Sequence, residues 1–196
     1  MKNITKKDKV ILTDCDGVVL DWELAFQEWM TEQGMTAVKP GVYDIGELYG
    51  ITKAEGKAFV KQFNDSAWVG FLPAMRDARS GVAKLVEHGY TFIAITSLSL
   101  DKKAQMLRVS NLKNFFGQNV FNEVVCLDTG ADKDEELVKY DGTGLYWIED
   151  KVENAECGLK YGLTSILIAH EHNKDHADGI TRLDDWAAIA EHIINS

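Results

Sequence analysis

Two aspartates, Asp14 and Asp16, lie one residue apart at the end of an apolar segment and directly before a glycine. The segment has the composition of a buried β-strand, so both carboxylates are predicted at its carboxyl end, where open α/β folds bind ligands. Mg²⁺ takes oxygen ligands, and an aspartate can accept a phosphoryl group covalently. The pattern therefore favours a phosphoryl-transfer site. The competing interpretation is a simple turn, because Asp-Gly pairs are common after strands.

Further polar groups follow two more strand-like segments. Residues 90–96 are mostly apolar and lead into Thr96 and Ser97, and residues 145–148 lead into the acidic pair Glu149-Asp150. Lys133 lies between these segments in an acidic stretch. The order along the chain is thus an aspartate pair, a hydroxyl, a lysine and an acidic pair.

This order resembles the haloacid dehalogenase superfamily of phosphotransferases, whose four short motifs match Asp14-x-Asp16, Thr96, Lys133 and Glu149-Asp150. A closer resemblance is to its 5'(3')-deoxyribonucleotidase branch. Three stretches are similar to that branch: residues 14–22, Phe71-Leu72-Pro73, and Asn173 through Arg182 to Asp185-Trp186.

The sequence departs from that branch at three positions. Leu20 replaces a small residue, Trp22 replaces a phenylalanine, and Glu149 stands where aspartate is more usual. None of these three differences removes a functional group of the four motifs. Specificity in the superfamily lies in the cap, so the resemblance leaves the substrate open.

The resemblance implies a role for each acidic residue. Asp14 would attack phosphorus and form an aspartyl-phosphate, and Asp16 would serve as acid and then base. Mg²⁺ would be held by the carboxylates of Asp14 and Asp150 and by the backbone carbonyl of Asp16. Glu149 would orient these ligands directly or through water. A helix cap is the alternative for Glu149-Asp150, because acids favour helix N-termini.

The resemblance also assigns the hydroxyls and the lysine. Thr96 would hydrogen-bond a phosphoryl oxygen with help from Ser97, and Lys133 would neutralise the charge shared by Asp14 and the phosphate. The alternative for Thr96 is a structural one, in which it satisfies backbone hydrogen bonds at the end of the strand. Lys133 could be a surface ion pair of little energetic value, with Lys139 as a weaker substitute for the catalytic lysine.

Alternating strand and helix patterns predict an α/β fold, a Rossmann-like parallel sheet with helices on both faces. Strands are predicted at 9–14, 90–96, 120–127, 144–149 and 164–169, and helices at 21–34, 52–65, 77–88, 101–114, 151–161 and 184–194. Roughly 75 residues separate the first two strands, whereas a crossover needs about a dozen. Residues 18–74 are therefore predicted to form a small helical cap, and residues 1–17 and 75–196 the core domain.

Trp22 is a candidate substrate-binding residue within the predicted cap. Most aromatic residues at helical spacing are expected in the core. Trp22, however, follows the aspartate pair closely enough to reach a substrate, and stacking of a base on an aromatic ring contributes about 1–3 kcal/mol.

Composition limits the class of protein. The three cysteines, Cys15, Cys126 and Cys157, have neither metal-site nor disulfide-framework spacing, so we expect a reduced, cytoplasmic protein with Cys15 as a buried thiol. No apolar run is long enough for a transmembrane helix, and the one near the N-terminus is too short for a signal peptide. The formal net charge of −10 argues against a polynucleotide partner but allows a small phosphorylated substrate.

His170, His172 and His176 could suggest a transition-metal site, because imidazole is a common ligand. A solvated loop after the last predicted strand is the favoured interpretation, with Asn173 as a residue that could anchor it.

Three function classes stay open. The first is a Mg²⁺-dependent nucleotidase acting on a nucleoside monophosphate, which Trp22 and the Asp185-Trp186 resemblance favour. The second is the same chemistry on another phosphate ester, such as a sugar phosphate, or a phosphotransferase. The third is a non-catalytic binding protein, against which the complete set of acids argues. The sequence does not decide the oligomeric state, and a homodimer stays among the alternatives.

Overall fold

The computed structural model describes residues 4–175 and 179–196. Across these ranges, six strands form one parallel sheet in the order β3-β2-β1-β4-β5-β6. The strands are β1 (Val10–Thr13), β2 (Thr91–Ser97), β3 (Phe121–Leu127), β4 (Tyr146–Glu149), β5 (Thr164–Ile168) and β6 (Thr181–Leu183). The predicted parallel α/β fold is therefore confirmed. The sequence prediction missed β6, which has only three residues, all partly exposed, and so lacks a clear apolar pattern.

Eight α-helices connect or flank these strands in the described part of the chain. They are α1 (Trp22–Glu32), α2 (Ile45–Tyr49), α3 (Lys53–Asn64), α4 (Ala78–Glu87), α5 (Lys102–Phe116), α6 (Asp134–Leu137), α7 (Val152–Lys160) and α8 (Trp186–Ile194). None of the helices among the described residues combines the length and apolar character needed to cross a bilayer.

Strand β1 lies in the middle of the sheet and is covered on both sides. Successive side chains of a strand point to opposite faces, so Ile11 and Leu12 enter different hydrophobic clusters. Ile11 joins the cluster that includes buried residues of α4, α5 and α8, and Leu12 joins the one that includes Leu137 and Cys157 of α6 and α7. Helices therefore pack on both faces, as predicted.

The helices α1, α2 and α3 lie within the range predicted for the cap, and their aromatic side chains pack together. The ring of Phe26 contacts Tyr49 and Phe63, and Trp29 contacts Phe59 and Phe63. The carboxyl end of α3 is also joined to the loop after β2. Asn64 Nδ2 donates to the carbonyl of Leu98 at 3.1 Å. That these helices act as a cap remains a prediction.

Trp186, which contributed to the resemblance, is a buried structural residue. Its Nε1 donates to the carbonyl of Val18 at 2.7 Å, and a Cβ atom at Gly81 would lie 2.6 Å from its own Cβ. Asp185 accepts a hydrogen bond from the backbone N–H of Ala188 and caps α8. Trp186 thus supports the loop after Asp16 and the packing of α4 on α8, while Asp185 stabilises the start of α8.

Candidate active site

The carboxyl ends of β1, β2 and β4 meet at one edge of the sheet because these strands are parallel neighbours. In register, Thr13 lies beside Ala94 of β2 and Ile148 of β4. The residues that follow on the chain, Asp14 among them, are therefore brought together at this edge. The sequence alone places each of these side chains at the end of a predicted strand.

Lys133 lies between two carboxylates in this group. Its Nζ is 2.8 Å from Asp14 Oδ2 and 2.8 Å from Glu149 Oε2, and its side chain is only 1% exposed. The alternative lysine, Lys139, is half exposed and pairs with Glu136 instead. The geometry thus favours Lys133 over Lys139 for charge neutralisation next to Asp14.

Burial dominates the electrostatics of this triad. It raises the pKa of Asp14 to about 6, although Lys133 opposes the shift. Burial likewise raises the pKa of Glu149 well above its usual range, again against Lys133. Burial alone would lower the pKa of Lys133, but the two carboxylates outweigh it and raise that pKa. The single charge of Lys133 is therefore shared by Asp14 and Glu149. A further positive charge would stabilise the ionised form of both carboxylates.

Three carboxylates could hold such a charge: Asp14, Glu149 and Asp150 each offer an oxygen, and these oxygens lie within 4.8 Å of one another. Glu149 is already enclosed, because its Oε1 accepts from the Lys151 backbone and from Asn154 Nδ2, each at 3.2 Å. Its side chain is 1% exposed, against 11% for Asp14 and 13% for Asp150. Oxygen donors fit Mg²⁺, and Asp14 and Asp150 are the two of these carboxylates that keep some solvent exposure.

Gly17 allows the aspartate loop to approach Asp150. Its φ is +73°, a left-handed conformation that side chains disfavour, and an added Cβ would lie 2.5 Å from Asp150 Oδ2. The glycine after Asp16 is therefore needed for both the turn and the close contact.

Two histidines lie in the loop after β5, as predicted, but this loop is folded against the site, which the sequence did not predict. His170 Nε2 is 2.6 Å from the carbonyl of Gly17, and His172 Nε2 is 3.1 Å from the carbonyl of Asp150. His172 also lies 3.4 Å from Asp150 Oδ2. Burial acts to raise the pKa of Asp150, but the contacts with His172 outweigh it and lower that pKa. His176 lies outside the described residues.

Asn173 anchors this loop, as the sequence suggested. Its Nδ2 donates to the carbonyls of Asp150 and Ile168, and its Oδ1 accepts from the backbone N–H of His170 and from Arg182 Nε. A fully satisfied buried amide of this kind fixes the chain on both sides of it. It also holds the backbone of Asp150 in place.

Asp16 contacts a residue that the sequence analysis did not single out, Arg108 of α5. Arg108 Nη1 is 2.7 Å from Asp16 Oδ1, and the arginine is fully buried. The buried face of α5 consists of Ala104, Arg108, Asn111 and Leu112. A charged residue at an apolar position of the helix was the available signal, because arginine is rarely fully buried unless paired.

The hydroxyls predicted to bind phosphate have protein contacts. Thr96 is fully buried, and its Oγ1 accepts a long hydrogen bond of 3.5 Å from Arg108 Nη1. Ser97 Oγ donates to the carbonyl of Ala131 at 2.8 Å, which ties β2 to the loop before Lys133.

Trp22 is partly exposed at the start of α1 and its ring orientation is fixed. Nε1 donates to Asn64 Oδ1 at 2.9 Å, and Phe26 stacks on the ring with a centroid distance of 4.5 Å. From the same range, Tyr43 is 61% exposed and its ring lies 4.7 Å from that of His172. Residues of the predicted cap therefore reach the acidic site.

Cys15 is a buried thiol between the two aspartates, as expected. Burial raises its pKa to about 12, against the effect of Arg108, so the thiol stays protonated near neutral pH. A thiolate nucleophile at this position is not supported.

Similarity to known proteins supports the fold more firmly than the activity. No family model matches the chain. It is 26% identical over 189 residues to an uncharacterized 32.4 kDa protein in the Gp30-rIII intergenic region of enterobacteria phage T4. That match covers 92% of this chain and 61% of the phage protein, so the chain spans about three fifths of its relative's length.

Solved structures match over almost the whole chain. A predicted phosphatase from Clostridium acetobutylicum has a TM-score of 0.67 and 13% identity, covering 96% of this chain and 99% of that one. A haloacid dehalogenase-like hydrolase from Streptococcus pneumoniae has a TM-score of 0.64 and 10% identity, with coverage of 96% and 99%. The chain has the haloacid dehalogenase-like fold. A third match is the D,D-heptose 1,7-bisphosphate phosphatase of B. bronchiseptica in complex with magnesium and phosphate, with a TM-score of 0.57, 13% identity and coverage of 95% and 98%.

Proposed function

We propose that the protein is a Mg²⁺-dependent phosphomonoester hydrolase that works through an aspartyl-phosphate on Asp14. The observation that carries the proposal is the position of Lys133, held 2.8 Å from Asp14 at the open carboxyl edge of the sheet. A buried cation beside a carboxylate that keeps some solvent exposure suits the transfer of a dianionic group to that carboxylate. Magnesium and phosphate in the heptose bisphosphate phosphatase of the same fold support this choice.

The residues divide the reaction into two steps. Asp14 attacks phosphorus, the bond from phosphorus to the ester oxygen breaks, and Asp16 gives its proton to the departing oxygen. Water then attacks the phosphorus of the aspartyl-phosphate, Asp16 takes the proton of that water, and the carboxylate of Asp14 is released. Mg²⁺ held by Asp14 and Asp150 would neutralise charge on the phosphoryl group.

The proposed substrate is a nucleoside monophosphate. Trp22 supports this, because its ring is held by Asn64 and Phe26 while the residue stays partly exposed. The rival is a sugar phosphate. Two neighbours in fold favour it, the heptose bisphosphate phosphatase and CbbY from Rhodobacter sphaeroides, a mutant of which was solved with xylulose 1,5-bisphosphate.

A panel of monophosphates tests the proposal. Phosphate release is measured with Mg²⁺ on nucleoside monophosphates, sugar phosphates and an aryl phosphate, for the wild type and for Asp14→Asn. We expect turnover by the wild type and none by the nearly isosteric variant, with circular dichroism showing an unchanged fold. The control is Asp141→Asn at an exposed position, which should keep full activity. Wild-type turnover by Asp14→Asn would exclude the covalent mechanism.

A further inference from the structure

Arg108 is the buried charge that the proposed reaction does not yet use. Its Nη1 lies 2.7 Å from Asp16 Oδ1 and 3.5 Å from Thr96 Oγ1. Among the described residues, its Nε and Nη2 are buried without a hydrogen-bond partner, and so is Asp16 Oδ1, whose contact with Nη1 is an ion pair. The guanidinium is thus committed to Asp16 through one nitrogen only.

A buried guanidinium with a single ion-pair contact contributes little to the stability of a fold. Burying a guanidinium with two unsatisfied nitrogens costs free energy, and hydrophobic residues often replace buried ion pairs without loss of stability. The neighbours of Arg108 on the buried face of α5 include Ala104 and Leu112, so an apolar residue would match its surroundings. The position of the arginine points instead to its partner, Asp16.

Only one oxygen of Asp16 is free to exchange a proton with a ligand. Asp16 Oδ1 is buried against Arg108, whereas the side chain as a whole is 22% exposed. The exposed part of the carboxylate is therefore on the side of Oδ2. A carboxylate that can rotate about its side-chain torsions would present either oxygen, and contact with the fixed guanidinium removes that freedom.

We propose that Arg108 is a positioning residue that clamps Oδ1 of Asp16, so that Oδ2 faces the ester oxygen of the substrate. The inference rests on the proposed hydrolase function. Arg108 does not touch the substrate in this scheme and acts only through Asp16. Its contribution should therefore appear where proton donation by Asp16 matters, and vanish where it does not.

Leaving groups of different acidity separate these cases. An alkyl phosphate needs a proton on its departing oxygen, whereas 2,4-dinitrophenolate leaves without one. We expect Arg108→Met to lower kcat/KM for the alkyl ester by about 10²- to 10⁴-fold, the range of general acid catalysis, and to change the dinitrophenyl ester less than about tenfold. Arg108→Lys keeps a charge near Oδ1 and should recover part of the alkyl ester activity.

Two further variants test whether the effect of Arg108→Met comes only from damage to the packing of α5. Asn111 lies on the same buried face of α5 and donates to the carbonyl of Leu72 at 3.1 Å, so Asn111→Leu disturbs the helix without touching Asp16. It should affect both esters equally. Adding Arg108→Met to Asp16→Asn should cost nothing more on the alkyl ester, because the clamp then has nothing to position.

The outcomes are distinguishable. If the wild type hydrolyses both esters and Arg108→Met lowers kcat/KM equally for both, the positioning role is refuted while the hydrolase proposal stands. If the wild type hydrolyses neither ester with Mg²⁺, the proposed function fails and this inference with it. Should Arg108→Met not fold, the same leaving-group comparison is made with Arg108→Lys, and a uniform loss there refutes the role as well.

Discussion

The stability of the acidic site should depend on Lys133 more than on any surface lysine. Replacing it in Lys133→Met leaves Asp14 and Glu149 buried without their shared cation, each having lost a contact of 2.8 Å. Removing one partner of a buried ion pair typically destabilises a protein by about 3–5 kcal/mol. We expect a loss of this size in the free energy of unfolding at pH 8 in the presence of a chelator.

The loss in free energy of unfolding caused by Lys133→Met should be smaller at lower pH. The direction of this change follows from the pKa of Asp14. Its folded pKa of about 6 exceeds the ordinary value of 3.8, so the neutral carboxyl is favoured in the folded state. The stabilisation that comes from this neutral carboxyl is fully present below pH 3.8 and is lost as the pH rises through the folded pKa of Asp14. Lys133 lowers the Asp14 pKa, so its removal raises the value further and widens the difference between pH 5 and pH 8.

Urea unfolding of the wild type and two variants measures this effect. Lys139→Met is the matched control, because Lys139 is 49% exposed in its pair with Glu136 and should cost about 0–1 kcal/mol. Equal losses for the two lysine variants would refute the reasoning. A loss for Lys133→Met that is the same at pH 5 and pH 8 would show that burial of the carboxylates is not its cause.

Three further changes test the site. Asp150→Ala should raise the Mg²⁺ concentration needed for activity severely or abolish activity, and an unchanged Mg²⁺ titration would place the cation elsewhere. Gly17→Ala should cost far more activity than Gly130→Ala, because both glycines have φ near +70° (+73° and +72°) but only the first would bring a Cβ within 2.5 Å of Asp150; equal effects would leave backbone strain as the sole cause. Trp22→Ala should lower kcat/KM for a nucleoside monophosphate by roughly 5- to 150-fold, the loss of one stacking contact, with little change on a small ester that lacks a base. Equal loss of both activities would remove the main support for a nucleotidase.

The parts of the site that the sequence predicts are those set by strand ends. Asp14, Thr96 and Glu149 each follow or end an apolar run, and parallel strands bring such ends to one edge. Lys133 follows no such strand end, so its place in the site came from the resemblance. The resemblance also carried the interpretation of residues 173–186, which the structure shows to include loop-anchoring and core positions.

The parts that the sequence did not predict depend on packing between distant elements. Arg108 reaches Asp16 from a helix 92 positions further along the chain, and only the docking of α5 on the sheet determines that contact. His170 and His172 lie in a polar stretch that favours a loop, and Asn173 is what folds that loop back onto Asp150. Hydrogen bonds to backbone carbonyls, as made by both histidines, leave no signature in residue types.

The strand order has a consequence for synthesis of the chain on the ribosome. β1 is synthesised before its neighbour β4, which ends about 135 residues later, an interval of about 7–27 s at typical elongation rates. During that interval β2 can pair with one side of β1 while the other side stays an open, apolar edge. Exposed strand edges promote association between chains. We therefore expect nascent chains that stop before residue 146 to aggregate or to require a chaperone, and the acidic site to form only when β4 pairs with β1.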